Sequence, residues 1–231
     1  ERMARPLLDL LDVPRVKVIM TGDDAIELAY QARSSKQGKG IGLSLRVATY
    51  TAMNTDHIES IRPIVLQAAK KYNAELVAAP IDRYWADMEF IEKILKEYGK
   101  TSTSWQKFEM TSDIIKRISR CRVMISSTFH AAVFALGQGI PVVALVNSAL
   151  YDGKLSGLAA EFGERGCQVI YLNDKNLEKK LTESIDYAWA EAENLRLQIL
   201  KDAARQVDLG NAAYQKIFHL VEAKTYKEKI S

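Results

Sequence analysis

Residues 122–145, RVMISSTFHAAVFALGQGIPVVAL, constrain the fold of this chain more than any other stretch. Arg122–Ile125 is a short apolar run with the character of a strand. Ser126, Ser127 and Thr128 then supply hydroxyls where a helix must begin, the place at which Ser and Thr cap free backbone N–H groups. Phe129 to Gln138 has helical character and ends at Gly139, a residue suited to a left-handed cap. Pro141 opens Val142–Leu145, a continuous apolar run of the kind found in buried parallel strands. The segment reads as one βαβ unit with His130 in the first turn of its helix. A helix N-terminus that faces a cleft receives anions, so His130 stands where a phosphate or carboxylate would bind.

Strand and helix patterns alternate along the rest of the chain. Met3–Leu11 reads as a helix, Val16–Met20 as a strand, and Asp24–Arg33 as a short helix. Residues 34–40, SSKQGKG, form the best linker. After it come a strand at Ile41–Val47 and a helix at Asp56–Tyr72, whose apolar positions Ile58, Ile61, Val65, Ala68 and Ala69 have helical spacing. A strand follows at Glu75–Ala79, then a helix at Ala86–Tyr98, a weak third strand at Gln106–Met110, and a helix at Thr111–Ser119 capped by Thr111 or Ser112. Beyond the βαβ unit, Gln168–Leu172 is the sixth strand. Leu177–Val207 is helical, with a break at Leu209-Gly210-Asn211 and a last helix at Ala212–Lys224. Such alternation gives an α/β fold with a parallel sheet covered by helices on both faces. Right-handed crossovers and six strands predict the order 3-2-1-4-5-6, with a switch point between strands one and four. Ligands bind there, at the carboxyl ends of the strands. Arg46, at the end of strand one, and Ser126 to His130, at the end of strand four, must therefore meet, and together they make a plausible anion pocket.

Composition narrows the function classes. With 48% hydrophobic and 26% charged residues the chain is ordinary globular material, and a formal net charge of +3 argues against nucleic-acid binding, which needs a concentrated basic patch. No stretch of about 18 apolar residues is present to span a membrane, and no signal peptide is visible, so the expected location is cytoplasmic. Cys121 and Cys167, each beside a predicted strand, read as buried free thiols rather than a disulfide framework. The chain opens at Glu1 inside a helical pattern and reads as the C-terminal piece of something longer.

The remaining candidates are single residues. Arg46 can clamp a carboxylate or phosphate through its fork of donors. Lys154 follows strand five in the loop 147–154, NSALYDGK, which faces the same cleft. Asp23-Asp24 superficially resembles a metal pair, but adjacent carboxylates point apart, and a turn with helix capping explains them. Asp82 and Asp87 flank the segment after strand two, with Asp87 suited to capping the helix there. His57 and His219 lack partner patterns. No HExxH, paired CxxC or GxxxxGK[ST] pattern occurs, so no metal or cofactor is expected. The glycines of Gly38–Leu43 precede a strand and are not a dinucleotide fingerprint.

The order of these features resembles the polysaccharide pyruvyl transferase family. SSTFHAAVFALGQGIPVVAL carries the likeness, with the Tyr151–Lys154 segment, a Gly-Leu helix ending at Glu161-Phe162-Gly163, VIMTGDDAIEL near the domain junction, and GIGLSLR opening the C-terminal domain. The resemblance runs from Glu1 to about Leu172. It implies the C-terminal half of a two-domain GT-B-type enzyme with two Rossmann-like halves. Residues 1–35 would be the tail of the N-terminal domain, 38–207 the C-terminal Rossmann-like domain, and 208–231 a helix crossing back. It further implies transfer of a pyruvyl group, as a ketal, from phosphoenolpyruvate to a sugar of a cell-surface or exopolysaccharide. The acceptor would be a glycan or lipid-linked sugar, with peripheral membrane association through it. The family histidine maps onto His130, in a donor-binding or acid/base role, and the strand-end arginine onto Arg46. Ser126, Ser127, Thr128 and Lys154 complete the expected donor site. One departure stands out. Many members carry Ser-Arg-x-His where this chain has Ser127-Thr128-Phe129-His130, so a cation of the donor pocket is replaced by Thr128. The residues leave two alternatives open: a GT-B glycosyltransferase using a nucleotide sugar, or a catalytically inactive sugar-binding or scaffold domain.

Overall fold

The computed structural model describes residues 4–81, 85–102 and 110–228. Six strands form one parallel sheet in the order β3-β2-β1-β4-β5-β6: β1 Gly40–Ser44, β2 Leu76–Ala78, β3 Thr101–Ser102, β4 Cys121–Ser126, β5 Val142–Val146 and β6 Cys167–Tyr171. This is the doubly wound, Rossmann-like order expected from the sequence, and its reversal point lies between β1 and β4. The third strand sits at Thr101–Ser102. Of the stretch at which the sequence places it, residues 106–109 lie outside the described residues, and Met110 directly precedes a helix.

The described residues hold eight α-helices: α1 Ala4–Leu10, α2 Ala25–Gln31, α3 Thr55–Lys71, α4 Trp85–Lys96, α5 Thr111–Ile118, α6 Phe129–Gly137, α7 Ala149–Gly166 and α8 Leu177–Glu228. The buried strands separate two apolar cores. Ile41, Leu43, Leu76, Val123, Ile125, Val143 and Leu145 face α3, α4 and the first turns of α8. Cys121, Met124, Val142, Ala144 and Val146 face α2, α5, α6, α7 and the middle of α8. Each strand feeds both cores by alternation, which is why the central strands read as unbroken apolar runs. On β1 the alternation is also one of size. Gly42 points toward Met124 and Cys121, where a Cβ would lie 2.5 Å from Sδ and 2.7 Å from Sγ, so only glycine fits.

The end of α6 follows its sequence closely. Gly139 takes φ +76°, its N–H bonds to the carbonyl of Leu136 at 3.0 Å, and the N–H of Ile140 bonds to that of Ala135 at 2.9 Å. This pair of bonds, closed by buried Ile140, is the Schellman arrangement. In α7, Gly163 adopts φ +74°, breaking the helix at the glycine where the family resemblance ends it.

Four sequence expectations are corrected. Val16–Met20 is not a strand: Arg15–Lys17 form a single 3-10 turn after Pro14, and Val16 is 90% exposed. Among the described residues no strand pairs with it, and a lone strand leaves its backbone groups unpaired. α8 is unbroken for 52 residues through Leu209-Gly210-Asn211. One glycine costs a helix about 1 kcal/mol, which its neighbours carry, and Tyr214 beyond it donates to Asp24 Oδ2 at 2.7 Å. Lys154 lies in the second turn of α7, not in a loop, because Ser148 caps that helix. The cap residue of α5 is Met110, whose N–H donates to Asp113 at 3.0 Å, rather than Thr111 or Ser112. Asp82 lies outside the described residues, and Asp87 falls inside α4, past its start at Trp85.

Candidate active site

The carboxyl ends of β1 and β4 are in direct register, Ser44 beside Ser126. The pairing continues beyond the strands. The N–H of Ser127 donates to the carbonyl of Ser44 at 2.9 Å, and the N–H of Arg46 donates to Ser127 Oγ at 2.8 Å. Arg46 and the turn before α6 are thus stitched together at the switch point, as the topology requires.

The hydroxyls of that turn do something the sequence did not suggest. Thr128 is the N-cap residue of α6, yet its side chain makes no capping bond. Its Oγ1 lies 2.7 Å from Ser44 Oγ and 3.2 Å from Ser126 Oγ. Ser126 Oγ in turn donates to the carbonyl of Thr128 at 2.8 Å and accepts from its N–H at 3.0 Å. All three side chains are buried, Thr128 at 4% exposure. The cluster fixes the β4–α6 turn from inside, and Ser127 fixes the Arg46 backbone. The first turn of α6 contains no acidic residue of its own, and the Thr128 hydroxyl does not cap it, so neither offsets the positive end of its dipole.

His130 follows in that first turn and is exposed, its ring 5.5 Å from Phe129 and 6.2 Å from Phe134. Across from it, the first turns of α7 present Tyr151 and Lys154. The ammonium of Lys154 stands 5.7 Å from the Phe129 ring and 5.6 Å from the Tyr151 ring, within cation–π range. Tyr151 stacks on Tyr50 at 6.0 Å between centroids, and Tyr50 accepts a 2.7 Å hydrogen bond from Nη1 of Arg46. An arc of contacts thereby runs Arg46–Tyr50–Tyr151–Lys154–Phe129–His130. The three cationic or basic residues picked from the sequence are thus linked through aromatic rings beside the carboxyl ends of β1, β4 and β5. Tyr50 was missed from the sequence. Its one signal is its position, an aromatic four residues beyond Arg46 in a loop that follows a strand end.

The other polar candidates are local. Asp23 Oδ1 accepts from the N–H of Ala25 at 2.9 Å, a helix-start role. His57 and Asn54 exchange bonds at the start of α3, at 3.1 and 3.2 Å. Among the described residues no group of three His, Cys, Asp or Glu side chains is placed to hold a metal ion, and no helix is long and apolar enough to cross a membrane. Cys121 and Cys167 are free and buried, and burial pushes both thiols up to about 12.

The family model for polysaccharide pyruvyl transferase matches residues 1–149, which hold the whole switch point from Arg46 through His130. The chain belongs to the polysaccharide pyruvyl transferase family. No curated protein matches the chain. Among solved structures, the N-terminal domain of Candida albicans trehalose-6-phosphate phosphatase is similar with a TM-score of 0.46 and 10% identity, over 87% of this chain and 49% of that one. The chain spans about half the length of that solved protein.

Proposed function

We propose that the chain carries the donor half of a pyruvyl transferase that moves a pyruvyl group from phosphoenolpyruvate onto two hydroxyls of a sugar. The observation that carries this reading is the seam at the switch point, where the Arg46 N–H bonds to Ser127 Oγ, Lys154 stands over the Phe129 ring, and His130 follows in the first turn of α6, whose N-cap side chain makes no capping bond. Phosphoenolpyruvate is a small dianion-bearing acid. Its phosphate suits the first turn of α6, and its carboxylate suits a guanidinium or ammonium. In the transfer, two sugar hydroxyls bond to C2, the C2–O bond to phosphate breaks, and the methylene becomes a methyl group. Of the two hydroxyl protons, one ends on C3 and the other on the departing phosphate. His130 is the acid/base group of this relay, and Ser126, Ser127 and Thr128 hold the turn that presents it.

The reading extends to architecture. Residues 38–207 form the second Rossmann-like half of a GT-B enzyme, residues 1–35 lead from the first half, and 208–231 cross back to it. In support, apolar side chains are exposed at both places: Leu7, Leu10, Leu11 and Val16 early in the chain, and Ile217, Phe218, Leu220 and Val221 late in α8. The acceptor is a glycan or lipid-linked sugar met at the cytoplasmic membrane face, and the peripheral association is through that acceptor. A second reading, an inactive sugar-binding or scaffold domain, is favoured by Thr128, whose hydroxyl is held inside the β1–β4 seam at the position where the family resemblance implies an arginine in many members.

Calorimetric titration of the full-length protein with phosphoenolpyruvate and with a UDP-sugar separates the readings. Binding of phosphoenolpyruvate alone is the expected result. Binding of the UDP-sugar instead means a glycosyltransferase, and binding of neither favours the inactive domain.

A further inference from the structure

We infer that Tyr50 is a positioning residue that aims the Arg46 guanidinium at the donor anion, an inference that rests on the reading of Arg46 as a donor contact. Arginine brings many rotamers to a cleft, and a side chain that must meet an anion loses affinity in proportion to the freedom it surrenders. Here that freedom is already restricted. Tyr50 accepts the 2.7 Å bond from Nη1 of Arg46, and Tyr50 is itself held from several directions.

Its ring stacks on buried Tyr151, with 26° between planes. Its carbonyl accepts from Ser148 Oγ at 3.0 Å, the same hydroxyl that caps α7. Two residues on, Ala52 takes a left-handed φ of +54°, and its carbonyl accepts from the side-chain amide of Asn147. A non-glycine residue in that region is uncommon and persists where surrounding contacts enforce it. From within the turn, buried Thr51 Oγ1 lies 3.1 Å from the carbonyl of Arg46 and 2.7 Å from that of Ala48. The turn 49–52 is therefore latched to the β5–α7 junction through Asn147, Ser148 and Tyr151, and it delivers one phenol oxygen to one guanidinium nitrogen. An aromatic platform alone would not need the phenol to face the arginine.

The test uses the full-length protein with phosphoenolpyruvate as probe. Tyr50→Phe keeps the ring stack and removes the acceptor. The expected result is a rise of about three- to tenfold in the dissociation constant and KM for phosphoenolpyruvate, with kcat and the urea midpoint unchanged. Tyr50→Phe should add nothing in an Arg46→Ala background, since the two act as a unit. Ser148→Ala, which loosens the turn at the carbonyl of Tyr50, should move KM the same way. A Tyr50→Phe variant that binds phosphoenolpyruvate like wild type, while Arg46→Ala loses it, overturns the inference and leaves the donor reading standing. Additive effects of Tyr50 and Arg46 also overturn it. Failure of the wild-type protein to bind phosphoenolpyruvate refutes the donor reading itself.

Discussion

Ser44 and Thr128 close the seam between β1 and β4 with hydroxyl oxygens 2.7 Å apart, both side chains buried. The contact joins residues 84 positions apart at the point where the sheet reverses. The pair is asymmetric: Thr128 Oγ1 also has Ser126 Oγ at 3.2 Å, whereas Ser44 without Thr128 loses this bond in an apolar surround, where an unpaired polar group is costly.

Thr128→Val keeps the shape of the side chain and removes its oxygen, stranding Ser44. The expected loss is about 1–3 kcal/mol of unfolding free energy, read as a lower urea midpoint with an unchanged slope. Thr128→Arg should be at least as disruptive, since its stem must leave the seam. A Thr128→Val protein as stable as wild type would show that the pair contributes nothing.

His130→Ala should separate folding from activity. The side chain is exposed, so truncation opens no core cavity and stability should stay within about 0.5 kcal/mol of wild type. Pyruvyl transfer by the full-length enzyme should be abolished. Unchanged turnover would remove His130 from the chemistry, and a large fall in the urea midpoint would make it a structural residue.

Gly137→Ala tests the docking of α2 on α6. A Cβ at Gly137 would lie 2.8 Å from Ala29 Cβ and 3.1 Å from the carbonyl oxygen of Ile26. Neither atom is the end of a flexible side chain, so the helices must separate. Alanine gains up to about 1 kcal/mol of helix propensity over glycine, but overpacking a fitted interface costs about 1–3 kcal/mol. The expected result is net destabilisation on thermal or urea unfolding. A stabilised variant would mean that α2 yields freely.

Legibility in the sequence followed the scale of the interaction. The strand order and the βαβ unit were readable because a buried parallel sheet imposes long apolar runs and short connections, as at Val142–Val146. The Gly139 cap was readable because its backbone demand is local. Other readings failed where tertiary partners or a local cap decide. Val16–Met20 has the composition of a strand and no neighbour to pair with. Gly210 and Asn211 look like a helix end, but α8 runs on and Tyr214 is tied to Asp24, 190 residues away. Residues 147–154 read as a loop holding Lys154, yet Ser148 caps a helix that starts at Ala149. At the site, Arg46 was visible as a cation at a strand end and His130 as a histidine in the first turn of a helix. Tyr50 was not, because its role lies in the direction of one hydroxyl, and no pattern of residue types encodes that.

Neither cysteine should react in the folded protein. The thiolate is the nucleophile, and with both groups pushed up to about 12 and fully buried, almost none is ionised at pH 8. Ellman's reagent should titrate no thiol in native buffer and two in urea. Rapid reaction of one native thiol would show that its strand opens to solvent.

The acid and alkaline limbs of stability should both involve Asp186, which ties α3 to α8. Lys71 Nζ donates to its Oδ2 at 2.7 Å, and the Tyr72 hydroxyl donates to its Oδ1 while the Tyr72 ring stacks on Trp189 at 4.6 Å. Burial raises the Asp186 pKa, but the bonds from Lys71 and Tyr72 outweigh it, and the carboxyl sits below its usual range. A carboxyl lowered by folding contributes stability above its unfolded value, near about 4, and that contribution is lost as pH falls through the lower folded value. Tyr72 runs the other way. Burial first, and then its bond to Asp186, hold its pKa above the ordinary value, so its contribution is present below about pH 10 and is lost as pH rises through the folded value. Asp186→Asn should therefore be less stable than wild type at pH 7, and the two curves should converge in acid. Tyr72→Phe should flatten the alkaline fall. The side chains are partly exposed, so both effects should be modest and shrink with salt. Urea midpoints of the three proteins across the pH range check this, and an Asp186→Asn curve parallel to wild type through the acid limb would show that its carboxylate is not held by Lys71 and Tyr72 in solution.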